Sequence, residues 1–287
     1  MKRIGRWLFR LLAVISPVLA SKLLYRIVMK RKLDLKAPKT LNEKIVWLKL
    51  NDYSDNKLVS TCADKLRARD YVKEQGLEHI LIPLIGTWES ADEIQWDDLP
   101  ESFVLKCNHG CGFNICCPDK DGIDEVSTKK ALNKWLKTPF WRKLSELQYK
   151  KIKPCIVGEA FLHENDDYKL YCFHGEAKFI LVCTQREYGN PKFYFFDPEW
   201  NLARINPDSL AAPADFTLPK PDKLDDMLHY AHLLSKPFPF VRVDFYIAND
   251  NIYFGEMTFT PSAGMDTSRL PETDIEMGNM LRLENIL

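Results

Sequence analysis

The 287-residue chain has no net charge: forty Lys and Arg are matched by forty Asp and Glu. No global field therefore draws it to nucleic acid, which is not an expected partner. Glycine is sparse at 12 residues, and neither a Gly/Ser/Pro-rich linker nor a fixed-period repeat divides the chain. That sets aside collagen, low-complexity scaffolds and solenoids. No apolar run reaches the ~20 residues needed to cross a bilayer. Cys62, Cys107, Cys111, Cys116, Cys117, Cys155, Cys172 and Cys183 lack paired C-x-x-C knuckles and a framework-like spacing. Neither a zinc site nor a secreted disulfide scaffold is expected from them, and they read as reduced thiols in a cytoplasmic protein. What is present is 46% hydrophobic and 12% aromatic residues, enough to build the core of one large domain or two small ones.

The neutral total hides an asymmetry. Residues 1–33 hold nine bases (Lys2, Arg3, Arg6, Arg10, Lys22, Arg26, Lys30, Arg31, Lys32) and no acid, which leaves the remainder nine units negative. Leu11–Ala20 is apolar behind an Arg-rich start, as in a signal peptide, but apolar residues continue among further bases past Pro17. Two readings stay open: a basic amphipathic helix pair on an anionic membrane surface, or a helix packed on the domain with its bases solvated.

Thr40-x-x-Glu43 is a capping box that starts a helix running to about Asn51. A second helix is expected from near Asp64 to Gln75, stopped by Gly76. Strands follow at Ser102–Cys107 and Phe113–Cys117, then helices at Thr128–Lys137 and Trp141–Lys150. Cys155–Leu162, Tyr168–Phe173, Ala177–Thr184 and Lys192–Phe196 read as strands, with His174-Gly175 as a tight turn. Asp222–Leu234 reads as a helix, and Phe240–Ala248 pairs with Ile252–Phe259. Consecutive hairpins with segregated helices define an α+β fold of antiparallel sheets and disfavour a doubly wound dinucleotide-binding fold.

The last hairpin carries the most chemistry. A three-residue loop at Asn249–Asn251 sets Asp244 opposite Glu256 and Arg242 opposite Thr258. One face then holds Arg242, Asp244, Tyr246, Glu256 and Thr258; the other holds Val241, Val243, Phe245, Ile247, Tyr253, Met257 and Phe259. Two carboxylates ~5 Å apart repel unless a cation intervenes. A magnesium ion bridging to phosphates would satisfy them, as would Arg242 in an ordinary cross-strand pair. Under the first account, neutralising either acid leaves the metal-free protein as stable or more so. Lys106, in an apolar strand, needs an anion nearby, and the Asn108–Gly112 turn that follows offers backbone N–H groups to a phosphate. Glu159 interrupts another apolar strand, and Lys169 and Arg186 add further cations.

In order, Leu41-Asn-Glu-Lys44, Ala63-Asp-Lys-Leu-Arg67, Lys106-Cys-Asn-His-Gly110 with Asn114, Gly158-Glu-Ala-Phe-Leu162, Asp167-Tyr-Lys169, Pro237–Phe245 and Gly255-Glu-Met-Thr-Phe-Thr-Pro261 with Gly264 resemble the TupA-like branch of the ATP-grasp superfamily. The resemblance covers about residues 40–265 and implies an α+β ATP-grasp fold, two antiparallel-sheet lobes clamping ATP and Mg²⁺. It implies a small lobe at about 101–158 and a large lobe at about 159–287. An acceptor-side helical region at 34–100 and the basic arm at 1–33 precede them. By the same resemblance Lys106, Lys169 and Arg186 are catalytic cations. His109, Gly110, Gly112 and Asn114 cover the phosphates, and Glu159, Ala160, Phe161 and Leu162 hold adenine and ribose. Asp244, Glu256 and Thr258 ligate the metal, while Lys65, Arg242, Ser262 and Gly264 border the acceptor. The activity implied is ATP-dependent ligation of a carboxylate to an amine, with a sugar acid of a cell-surface polysaccharide as acceptor. A glycosyltransferase or a polysaccharide kinase is the alternative; for the former, only Asp97-Asp98 and Asp225-Asp226 stand in for an acidic metal-binding pair.

Overall fold

The computed structural model describes residues 3–163, 166–184 and 191–283. A helical N-terminal region comprises α1 (Arg3–Ile15), α2 (Pro17–Val28), α3 (Leu41–Leu50), α4 (Asp52–Asp55), α5 (Lys57–Ala63) and α6 (Ala68–Glu74). The capping box forms as expected, with both the Thr40 and the Glu43 side chains bonded to backbone N–H groups. The second expected helix is shorter: Asp64 caps a turn through its carboxylate, and the hydrogen-bonded helix begins only at Ala68.

Two antiparallel sheets follow. The smaller has the order β1 (Leu84–Trp88), β4 (Ile156–Ala160), β2 (Phe103–Cys107), β3 (Asn114–Cys117). This sheet thus includes β1, well before residue 101, and its β4 runs through Ala160. The larger sheet has the order β10 (Asn251–Thr258), β9 (Phe240–Ala248), β5 (Asp166–Phe173), β6 (Glu176–Thr184), β7 (Lys192–Phe196), β8 (Leu202–Ala203). Helix α7 (Glu125–Leu136) packs on the small sheet, and α9 (Leu224–Ser235) covers β5, β6 and β9. Helices α8 (Pro207–Ala211) and α10 (Pro271–Met280) complete the fold, α10 packing on α3.

The large core is continuous from α3, α5 and α6 through the apolar face of the six-stranded sheet to α9. A separate cluster fills the small lobe around Phe103, Leu105 and Ile156, and a third joins α1 and α2 to Val46, Ala263 and Met265. The expected helix at Trp141–Lys150 is absent. Two 3₁₀ turns, Phe140–Arg142 and Leu147–Tyr149, flank Ser145, whose φ of 56° breaks any helix. The polar side chains of Glu146 and Gln148 are buried there instead, because they have partners inside.

The β9–β10 register is where local chemistry decides the site. Asn249 and Asp250 both adopt left-handed φ, 48° and 60°, so the loop is a two-residue turn rather than three. Asn251 therefore pairs with Ala248, and Tyr253 with Tyr246. A bulge at Gly255 then adds one residue, which restores Glu256 opposite Asp244 and Thr258 opposite Arg242. A Cβ at Gly255 would lie 3.0 Å from the Asp244 carbonyl oxygen, so the bulge accepts only glycine without a local shift. Tyr253 consequently leaves the apolar face, and Phe254, 6% exposed, takes its place opposite Phe245.

Candidate active site

Between the two sheets lies a cavity of about 380 Å³. The small sheet lines it with Val104, Lys106, Glu159 and Ala160, and the chain leaving β4 adds Phe161 and Leu162. Cys111, Gly112, Phe113 and Asn114 come from the β2–β3 loop and the start of β3; Tyr246, Gly255 and Glu256 come from the large sheet. Lys65, from the turn before α6, joins the three parts: its Nζ donates to the Gly110 carbonyl and to Glu256 Oε2, both at 3.0 Å.

On the small sheet Glu159 is 5% exposed and binds two cations: Lys106 Nζ contacts Oε2, and Arg69 Nη1 donates to Oε1 at 3.1 Å. The anion that Lys106 requires is thus supplied by the neighbouring strand. Arg69 carried no signal in the sequence, because nothing in its local pattern points to a partner 90 residues away.

The large sheet carries a longer network. Asp244, 2% exposed, accepts from Arg242 Nε and Nη2 at 2.7 Å each and from Lys169 Nζ at 3.1 Å. Lys169 also donates to both oxygens of Asp167, at 2.6 and 2.7 Å. Arg242 Nη2 donates to Thr258 Oγ1 at 3.1 Å, and Thr258 donates to Glu256 Oε1 at 3.2 Å. The bare repulsion expected between Asp244 and Glu256 is therefore absent, since Arg242 lies between them, 3.6 Å from Glu256 Oε1. Lys65 and Arg242 hold the Glu256 carboxyl well below the ordinary carboxylate range, against the partial desolvation that raises it. Burial raises that of Asp244, against the pull of Arg242 and Lys169.

Other expected positions are placed differently. His109 does not line the cavity: it is 4% exposed, lies against Phe113, and contacts the Thr138 carbonyl through Nε2 at 3.2 Å. Burial pushes its pKa down. Gly110 is required by packing, since a Cβ there would meet the Phe140 ring at 2.6 Å. Gly264 is likewise pressed on α3, 2.7 Å from Val46 Cγ2 for a Cβ, and neither it nor Ser262 lines the cavity. Both belong to a left-handed turn held from behind by Lys49. Arg186 lies outside the described residues.

Lys49 belongs to a buried polar cluster that the sequence did not reveal. Its Nζ donates to the carbonyls of Leu144 and Ala263 at 3.0 Å each, and burial lowers its pKa to about 8. Thr260 donates to Glu146 at 2.7 Å and accepts from Gln148 at 2.8 Å. A larger groove of about 530 Å³, lined by Lys57, Arg67, Trp88 and Lys153 among others, contains none of the expected site residues. Asp97-Asp98 and Asp225-Asp226 are exposed on turns or helix starts away from the cavity. Among the described residues no group of three or more His, Cys, Asp or Glu is gathered for a metal.

Two antiparallel sheets closing on a cavity, with a strand lysine on one side and an acidic hairpin on the other, define the ATP-grasp class. Within it, the match to the TupA-like ATP-grasp family extends over residues 43–282, and the chain belongs to that family. No curated protein sequence matches it. Among solved structures it is similar to a D-alanine–D-alanine ligase from Bacillus anthracis complexed with ATP, at 14% identity and a TM-score of 0.48, covering 79% of this chain and 64% of that one. It is also similar to N5-carboxyaminoimidazole synthetase from Staphylococcus aureus complexed with ADP, at 13% identity and 0.42, covering 70% and 46%. An L-amino acid ligase from Bacillus licheniformis gives 11% and 0.43, covering 72% and 44%. The chain thus spans less than two thirds of the first and under half of the others. No helix among the described residues is long and apolar enough to cross a membrane.

Proposed function

We propose that the protein is an ATP- and Mg²⁺-dependent carboxylate–amine ligase of the cytoplasm, acting on a sugar acid of a cell-surface polysaccharide or its precursor. The observation that carries this reading is the shared cavity, in which Lys65 and Lys106 converge from one side and Glu256 from the other. In this reading adenine rests on Ala160, Phe161 and Leu162, and the phosphates reach Lys106 and the loop at Gly112 and Asn114.

The donor set fits a hard divalent ion. Asp244 uses three of roughly four acceptor positions and Glu256 two, so these two carboxylates would be the residues to hold such an ion. Bound there, Mg²⁺ supplies charge neutralisation for phosphoryl transfer. Thr258 then acts mainly by orienting Glu256 and Arg242. Lys106 exchanges Glu159 for phosphate oxygens, and Arg69 keeps Glu159 compensated when it does so. An acceptor carboxylate oxygen, held beside Lys65 and Arg242, attacks the γ-phosphorus; the bond to the ADP oxygen breaks and an acyl phosphate forms. An amine nitrogen then attacks the acyl carbon, phosphate leaves, and the nitrogen loses its proton to give the amide. Lys106 and the neighbouring cations spread the charge developing on the transferred group. Arg186 and Lys169 complete the expected cationic set.

ATP or an unreactive analogue with Mg²⁺ is expected to raise the melting temperature by several degrees at saturation. A shift only with UDP-sugars and Mn²⁺ would favour the glycosyltransferase alternative. With a uronic acid as acceptor and hydroxylamine as the amine, the ligase forms a hydroxamate alongside ADP; ADP without hydroxamate would indicate a kinase. Lys106→Met is expected to lower ADP formation about a hundredfold, roughly 2.7 kcal/mol in the barrier, and full activity in that variant would remove the phosphate role.

A further inference from the structure

Among the described residues, eight of the thirteen exposed large apolar side chains lie within residues 11–28; the other five are scattered over the fold. They belong to the α1–α2 hairpin, whose turn is Ser16 followed by Pro17 at the first position of α2. Val14, Ile15, Val18 and Leu19 surround the turn, and Ile15 and Leu19 are 73% and 56% exposed. The opposite face of the hairpin is fixed: Phe9, Ala13, Ala20, Leu24 and Tyr25 pack with Val46, Ala263 and Met265. One face of the hairpin is therefore packed on the domain, while the other is exposed. Exposed Arg10, Lys22, Arg26, Lys30 and Lys32 flank the apolar tip, and among the described residues none of them has a carboxylate partner.

We propose that this hairpin docks the protein on an anionic lipid surface, its apolar tip entering the headgroup–acyl boundary of one leaflet while the bases meet lipid phosphates. A tip of aliphatic side chains ringed by Lys and Arg matches both layers of such a surface. Charge also argues against a second copy seated face to face on this patch, because two acid-free arms of nine bases each would repel. The hairpin is rigidly packed on α3 and the 261–264 turn, so docking fixes the catalytic body relative to the membrane instead of tethering it loosely. The proposal is independent of the ligase reading.

The test is co-sedimentation of the full chain with vesicles of phosphatidylcholine alone or mixed with phosphatidylglycerol, at low and high salt. The wild type is expected to pellet with the anionic vesicles and to be released as salt rises. Ile15→Glu with Leu19→Glu, and separately Lys22→Glu with Arg26→Glu, should each weaken binding about tenfold or more. Melting temperature and its response to ATP should stay unchanged in both, which shows that the fold and the nucleotide site are intact. Failure of the wild type to pellet, or equal pelleting of the variants, overturns the proposal. So does a solution dimer that Ile15→Glu with Leu19→Glu dissociates while vesicles bind nothing.

Discussion

The two sheets approach the cavity with opposite charge designs. On the small sheet a single buried acid, Glu159, serves two cations, Lys106 and Arg69. On the large sheet three acids, Asp167, Asp244 and Glu256, share Lys169, Arg242 and Lys65. The first arrangement has positive charge to spare and one point of failure. The second is balanced and, for Lys169 and Arg242, redundant, since each of these cations reaches two acids. That difference matches the work proposed for each side: spare cations suit phosphate, and a balanced network exposes one carboxylate, Glu256, without destabilising the strands behind it.

The largest effect should come from the undivided acid. Glu159→Gln leaves Lys106 and Arg69 without another carboxylate among the described residues. An uncompensated buried charge costs about 3–5 kcal/mol, measurable by urea denaturation without nucleotide. If phosphate takes over the Lys106 partner role, as proposed, saturating ATP should recover part of the loss. A variant as stable as the wild type would mean that the two cations are solvated well enough to need no partner.

Asp244→Asn should cost less, about 2 kcal/mol, because Asp167 still holds Lys169 and Glu256 remains near Arg242. The direction reverses the expectation from the strand pattern alone, in which neutralising this acid relieves repulsion. The same denaturation measurement decides it: a stabilised Asp244→Asn protein would restore the repulsion account and dissolve the contrast between the sheets.

That reversal shows how far the residues could be read. Strand positions followed from alternation and from turn residues such as His174-Gly175, whose φ values of 50° and 86° close β5 on β6. The opposition of Asp244 and Glu256 was legible too, though through two departures that cancel: a loop one residue shorter and a bulge at Gly255. Long-range pairing was not legible. Nothing local to Lys106 names Glu159 as its anion, and nothing local to Lys65 points to Glu256, because sheet order brings them together. The Trp141–Lys150 segment misled for a related reason. Trp141, Leu144 and Leu147 recur at helical spacing, but burial of Glu146 beside Thr260 and of Gln148 overrides that local preference.

The smallest effect tests the exposed end of the large-sheet network. Lys65 and Arg242 depress the Glu256 carboxyl, so its contribution to stability is complete above the unfolded carboxylate range near pH ~4.3 and is lost as pH falls through the lower folded value. Lys65→Met removes the larger of the two cationic influences and raises the folded value toward the ordinary one. The variant should lose about 1 kcal/mol at neutral pH, and the gap from the wild type should narrow on acidification, because the wild type surrenders the same contribution once Glu256 is protonated. Urea denaturation at neutral pH and at successively lower pH measures that gap directly. A gap that stays constant down to the acid limit would assign the Lys65 contribution to its bond with the Gly110 carbonyl. The large sheet would then owe the state of Glu256 to Arg242 alone.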